Sequence, residues 1–466
     1  MSAIPDVSLA PGTSPAAAPP GRRPTGFGAL LLRLHFYAGI LVAPFLIVAA
    51  LTGLAYTITP QLDRIVYAGQ LTVGTAGDTA RPLAEQIAAA RAVHPDGTLS
   101  TVIPGDGDAT TQVVFSRPEL GEKQHTVYVD PYTAQTRGTL TTWFGSTPLT
   151  TWLDDLHRNL HLGVAGRHYS EFAASWLWIL TLGGLALWWR RNRGNRTARR
   201  LLSPDLAANK GVRRTRGWHA PLGVWLSVGL LVLSATGLTW SRYAGGNFST
   251  ALDAFHGSTP SVSTALTAPG GHHGAAAAPV PGRAVDPAAA DTVWKVARDH
   301  GITGRADIGV PADAASAWTV TQDDHRWPIH KDAVAVDPVT ATVVDRSDFT
   351  DWPLLAKLTR YGIDAHMGRL FGAANQILLA ALAVGLICVI VWGYRMWWQR
   401  RPTRAGRRAP VGAPPVGRGA WQQLPTWGIV AGVPAVLALA WVLPLFGVPL
   451  VAFLAVDIAV GAARGS

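Results

Sequence analysis

The sequence predicts an α-helical polytopic membrane protein: a four-helix core from two parallel repeats, two C-terminal helices, and two extracytoplasmic α+β domains. Three observations predict it. The 466-residue chain is 48% hydrophobic and only 15% charged. Apolar runs of roughly 20 residues, enough to cross a bilayer core of about 30 Å as a helix, fall at 30–58, 172–190, 218–240 and 373–398. A histidine-led segment also occurs twice, as Arg33-Leu34-His35-Phe36-Tyr37-Ala38-Gly39 and Gly217-Trp218-His219-Ala220-Pro221-Leu222-Gly223. In both copies a Gly follows the His by four residues, and a Thr-Gly pair (Thr52-Gly53, Thr236-Gly237) places its Gly 18 residues after the His.

Charge distribution sets the expected order along the chain. The net charge of +11 is confined to particular segments. Between Arg190 and Arg216 lie ten Lys/Arg against the single acid Asp205, and between Arg395 and Arg418 lie seven Arg and no acid. Such runs are retained on the cytoplasmic side, which argues for a membrane surface and against nucleic acid. Residues 1–25, rich in Pro, Ala and Gly, are expected to be a disordered cytoplasmic tail. The first span, 26–59, is too long and too far in for a cleaved signal peptide. An external domain at 60–150 follows, then a second span at 151–190, a basic loop at 191–217 and a third span at 218–241. A flexible Gly/Ala/Ser/Thr/Pro linker at 242–283 precedes a second external domain at 284–350 and a fourth span at 351–398. A basic loop at 399–423 and two weaker helices within 424–463, broken at Phe446-Gly447, complete the chain and leave both termini cytoplasmic. Cys388 is the only cysteine and falls in the fourth span, so the external domains fold without an intramolecular disulfide.

The two external connections repeat one pattern. An alanine-rich helix from Pro82 to Val93 leads to alternating strands at 111–115 and 125–129 and the turn Asp130-Pro131-Tyr132-Thr133. A helix from Pro287 to His300 leads to strands at 318–320 and 333–336 and the turn Asp337-Pro338-Val339-Thr340. Helix, hairpin and Asp-Pro turn make a small α+β unit, and the pattern resembles the PepSY domain. Its alternation with histidine-led spans is similar to the PepSY-associated transmembrane family. The resemblance extends through Leu156-His157-Arg158-Asn159-Leu160-His161-Leu162-Gly163, Glu171-Phe172-Ala173-Ala174-Ser175-Trp176, His366-Met367-Gly368-Arg369-Leu370-Phe371-Gly372 and Trp397-Trp398-Gln399-Arg400-Arg401-Pro402. Some members of that family resemble inner-membrane ferric-siderophore reductases carrying haem b.

The histidines carry the chemistry. With the topology above, His35 and His219 sit near the cytoplasmic face, and His157, His161 and His366 near the external face. Imidazoles from two helices at each face suit two six-coordinate haems, so these five residues are the expected ligands of haem iron. A histidine at a helix end also costs little at the interface without any ligand, and the glycines alone could mark close helix contacts. A shift of 209 residues lays His157 on His366 and Gly163 on Gly372. That register favours His157; His161, four residues on and on the same helix face, stays an alternative. His272-His273 lack fixed geometry for a structural metal, and His94, His125, His168, His300, His325 and His330 are expected at the surface.

No nucleotide-binding fingerprint, nucleophile elbow or Cys pair is present, so electrons would have to come from a separate cytoplasmic or quinol donor. The first expectation is therefore a haem-containing transmembrane electron conduit, a membrane-bound oxidoreductase reducing an extracytoplasmic ferric siderophore or similar complex. The second is a non-enzymatic membrane sensor or inhibitor whose PepSY units bind an envelope peptidase or another partner. Matched imidazoles at both faces discriminate, because an anchor has no use for them.

Overall fold

A computed structural model describes residues 26–193, 202–204, 210–266, 286–313, 315–400 and 425–465. The tail at 1–25, residues 194–201 and 205–209 of the first basic loop, most of the second, and His272-His273 lie outside the described residues.

The first span expected at 30–58 is broken in two, Phe27–Leu41 (α1) and Ala43–Tyr56 (α2), which meet at an angle of 56°. The bend follows from Pro44, which has no N–H for the Ile40 carbonyl one turn back. Tyr394 Oη donates to that carbonyl instead, at 2.9 Å. Two short helices, Thr59–Val66 (α3) and Ala68–Leu71 (α4), lead to Leu83–Val93 (α5). Then come the strands Thr98–Ile103 (β1), Thr111–Ser116 (β2), Gln124–Val129 (β3) and Thr136–Thr142 (β4). Pro148–Asn159 (α6) turns into the long apolar helix Gly163–Asn192 (α7).

The second half repeats this order. Gly211–Leu238 (α8) is its first long apolar helix. Tyr243–Ala254 (α9) is a helix where a flexible linker was expected. Glu171 caps this helix: Tyr243 N and Ala244 N donate to its buried carboxylate at 2.9 and 3.0 Å, a negative charge at the helix's positive end. Ala289–Asp299 (α10) precedes Ala306–Gly309 (β5), Trp318–Gln322 (β6), Ala333–Asp337 (β7) and Thr342–Ser347 (β8). Leu354–His366 (α11) leads into Ala373–Gln399 (α12). Thr426–Val442 (α13) and Pro444–Gly465 (α14) close the chain. Their break falls at Leu443 rather than at Phe446-Gly447, because Pro444 disfavours helical backbone in the residue before it.

Among the described residues three helices (α7, α8, α12) are each long and apolar enough to cross a membrane, and the bent α1–α2 pair together makes a fourth candidate. The chain is a membrane protein with a β-sheet region. Helices α7 and α12 both pack on α8, and α1 and α2 pack on α7 and α12. Leu46, Ala173, Trp176, Leu226, Leu230, Leu382 and Ile390 form the core between them.

The two α+β units share one eight-stranded antiparallel sheet, in the order β4-β3-β2-β1-β5-β6-β7-β8. They join through β1 and β5, with Thr101 opposite Gly309 and Val102 opposite Ile308. One core serves both: Ile87, Val113, Phe115 and Val127 from the first half pack with Val293, Ile308, Trp318 and Val334 from the second. Asp291 of α10 reaches across and accepts from Leu83 N and Ala84 N at 2.6 and 2.9 Å, capping α5 from the other half.

Candidate functional site

Two histidine pairs come together, at different levels of the helical region. His35 on α1 and His219 on α8 line one cavity of about 1600 Å³ between α1, α7, α8 and α12. The glycine four residues after each, Gly39 and Gly223, lines the same cavity, and a Cβ on either would touch nothing within 4 Å. Each imidazole lies against a glycine of a neighbouring helix. A Cβ on Gly184 would stand 3.3 Å from His35 Cε1, and one on Gly393 would stand 3.7 Å from His219 Cε1. His219 Nδ1 lies 2.9 Å from the Val389 carbonyl. A carbonyl only accepts, so Nδ1 carries the proton and Nε2 keeps a bare lone pair. The Leu180 backbone, 209 residues before Val389, is the equivalent partner beside the buried His35.

His157, near the end of α6, and His366, the last residue of α11, face each other with ring centroids 6.5 Å apart and planes at 52°. The Thr-Gly pairs noted in the sequence hold them. Thr52 Oγ1 is 2.9 Å from His157 Nδ1, and Thr236 Oγ1 is 2.7 Å from His366 Nδ1. Each hydroxyl already donates its proton one turn back, Thr52 to the Val48 carbonyl and Thr236 to the Val232 carbonyl, at 2.8 and 2.7 Å. The threonine oxygens are therefore acceptors, both imidazoles are protonated at Nδ1, and both Nε2 atoms are left as lone-pair donors. The neighbouring glycines let the rings in: a Cβ on Gly53 would stand 3.1 Å from His157 Cε1, and one on Gly237 would stand 3.5 Å from His366 Cε1.

The donor set of the sheet-side pair fits a haem iron. Two metal–nitrogen bonds of about 2.0 Å plus two ring radii of about 1.1 Å give about 6.2 Å between imidazole centroids, close to the spacing of His157 and His366. Among the described residues no three His, Cys, Asp or Glu gather around one point, so a bare ion with an all-protein shell is not what these pairs suit. His161 stands apart. It is exposed, its backbone is left-handed (φ 55°), and its ring rests 5.0 Å from Trp152 in the turn between α6 and α7.

Two histidines expected at the surface are elsewhere. His94 is buried against Phe115 and faces His125. His325 bridges the sheet to α11, with Nε2 3.0 Å from Asp323 and Nδ1 2.8 Å from the fully buried Asp364, which Arg360 also binds at 2.9 Å. Burial pushes the Asp323 carboxyl up, but the His325 hydrogen bond and charge and the Lys331 ammonium hold it well below the usual carboxylate range. Burial, aided by the charge on Asp323, pushes neighbouring Asp307 up to about 6.

The roles of Thr52, Thr236 and Val389 escaped the sequence reading, although Thr-Gly recurs in register. The signal that finds them is a second shift: 184 residues separate His35 from His219, Thr52 from Thr236 and Val48 from Val232. No curated protein matches the chain. Residues 32–400 match the family described as PepSY-associated TM region. Covering most of the sequence, that match establishes that the chain belongs to the PepSY-associated TM family.

Proposed function

We propose that this protein is a haem-bearing transmembrane electron conduit, with His35 and His219 holding one haem b and His157 and His366 holding a second. The observation that carries this reading is the threonine pair. Thr52 and Thr236 spend their own protons on helix carbonyls and thereby fix two facing imidazoles as Nε2 donors. Ligating histidines are commonly oriented by such outer hydrogen bonds. Haem bound at these pairs supplies one-electron transfer, and the chain supplies axial ligands, spacing and placement. His219 and Thr236 are 17 residues apart on α8, about 25 Å of helix rise, so the two levels suit opposite leaflets.

The basic loops put the His35 and His219 level at the cytoplasmic face of the cell membrane, both termini inside, and the shared sheet outside. A cytoplasmic or quinol donor delivers electrons at the inner pair. The acceptor next to the sheet is a ferric siderophore or similar chelate, because hard oxygen ligands hold Fe(II) poorly and reduction releases it.

One visible spectrum of the purified protein, before and after dithionite, tests this. A low-spin bis-imidazole spectrum with sharpened α and Soret bands is the expected result. A colourless, folded preparation from haem-replete cells refutes it.

A further inference from the structure

The cavity holding His35 and His219 is also lined by Arg190, Arg191, Arg213, Arg216 and Arg400, and by no Asp or Glu among the described residues. Arg216 lies within electrostatic range of Arg191, Arg213 and Arg400. Arg191, Arg216 and Arg400, like charges on the wall of a partly enclosed cavity, repel one another unless an anion shares the space. Two of the five are related by the register that relates the histidine sites. Arg191 follows Gly184 by seven residues, and Arg400 follows Gly393 by seven, each pair sharing a helix face two turns, or about 10 Å, apart. Gly184 and Gly393 are the residues against which His35 and His219 lie. The approximate twofold relation that exchanges the two imidazoles therefore also exchanges Arg191 with Arg400.

We propose that Arg191 and Arg400, backed by Arg216, clamp the two carboxylate arms of the macrocycle held by His35 and His219. The inference rests on the haem reading and names the residues that set which way the macrocycle faces. An iron between twofold-related ligands lies on the axis relating them. Haem b carries both propionates on one edge, related by an in-plane axis through the iron. A site of that symmetry needs two equivalent cations side by side, on one side of the iron only, and Arg191 and Arg400 meet that description. Guanidinium groups bind carboxylates through paired, charge-assisted hydrogen bonds. The sheet-side pair has no counterpart, since the same 209-residue shift lays Arg158 on Met367 and Leu160 on Arg369.

The test titrates the full-length apoprotein, in nanodiscs of neutral phosphatidylcholine, with protohaem and with its dimethyl ester. The wild type should take up two equivalents of protohaem tightly, whereas one of two equivalents of the diester should bind ten- to a hundredfold more weakly. In Arg191→Ala/Arg400→Ala that preference for the free acid should disappear while the second equivalent binds as before. Equal uptake of both macrocycles by the wild type overturns the clamp and leaves the haem reading standing; it needs no variant to fold. Uptake of neither overturns both. A double variant that keeps the preference for the free acid but loses binding of added phosphatidylglycerol makes the arginines a lipid-headgroup site and also overturns the clamp.

Discussion

Thr236→Val removes one oxygen and keeps the side chain's shape, which makes it the sharpest probe of the sheet-side pair. In the native chain Thr236 Oγ1 accepts from His366 Nδ1 at 2.7 Å, and its hydroxyl proton is committed to the Val232 carbonyl. Valine leaves the Nδ1–H without a partner beside an apolar wall. An unsatisfied buried donor costs about 1–3 kcal/mol. The imidazole then either keeps that cost or turns and withdraws its Nε2 lone pair from the space facing His157. Loss of an outer hydrogen bond to a ligating histidine typically lowers metal affinity about 10–100-fold, and at about 1.4 kcal/mol per factor of ten the two figures agree. The assay is haem transfer from purified protein to excess apomyoglobin, followed in the Soret band. About half of the haem should leave Thr236→Val 10–100 times faster than from wild type, with the His35 and His219 fraction unchanged. Thr236→Ser, which keeps the acceptor, should behave as wild type, and Thr52→Val should repeat the effect through His157. If both valine variants release haem at the wild-type rate, the threonines do not set the imidazole tautomers and the reasoning fails.

Three further outcomes are expected. His157→Ala should remove one haem from the purified protein while His161→Ala leaves haem content intact, because His161 lies exposed against Trp152; the reverse result in a pyridine haemochrome assay would exchange their roles. Asp291→Ala should lower the unfolding free energy of the sheet region by about 1–2 kcal/mol, read by thermal unfolding, since two N–H groups of α5 lose their cap. Asp307→Asn should be stabilising at neutral pH: a folded-state pKa raised to about 6 means this group's contribution is present at acid pH and lost as pH rises through about 6, so wild type and variant should converge below about pH 4 in unfolding experiments.

What the sequence displayed plainly was whatever repeats along helices. His35, His219, Thr52, Thr236 and their glycines share a register, and the structure places every one of them at a histidine pair. Helices α5 and α10 and strands β2, β3, β6 and β7 were also legible, because their apolar residues alternate or run through the buried side of the sheet. Strands β1, β4, β5 and β8 were not. β5 has four residues, and β4 reads Thr-Arg-Gly-Thr-Leu-Thr-Thr with little alternation to see. The bend at Val42 was hidden because the apolar run continues through Pro44, and the hydroxyl that stabilises it, on Tyr394, is 350 residues further along. The link from His325 to Asp364 likewise depends on the fold bringing a hairpin onto α11. Hydrophobic period marks an element but says nothing about which distant polar partner will meet it.

The two halves are alike where His35 and His219 meet and differ where His157 and His366 meet. Around the first pair Gly39 and Gly223 follow the 184-residue shift of the histidines, and Gly184 and Gly393, Leu180 and Val389, and Arg191 and Arg400 follow the 209-residue shift. Around the second pair the threonines match, but the supports behind the ligand helices do not. Helix α6 is tied down by Asp63, whose carboxylate accepts from Thr147 and Thr150 at 2.7 Å each. Helix α11 is tied instead to the sheet itself, through Asp364, His325 and Asp323. Asp63 thus ties α6 to α3, and α6 also packs directly on the outer strand β4 of the sheet. His325 instead bridges two carboxylates, Asp323 just past β6 and Asp364 on the helix that ends in His366. The two imidazoles are thus braced unequally, the His157 helix by hydroxyls held on a carboxylate of α3 and the His366 helix by an ionic bridge to the hairpin that follows β6.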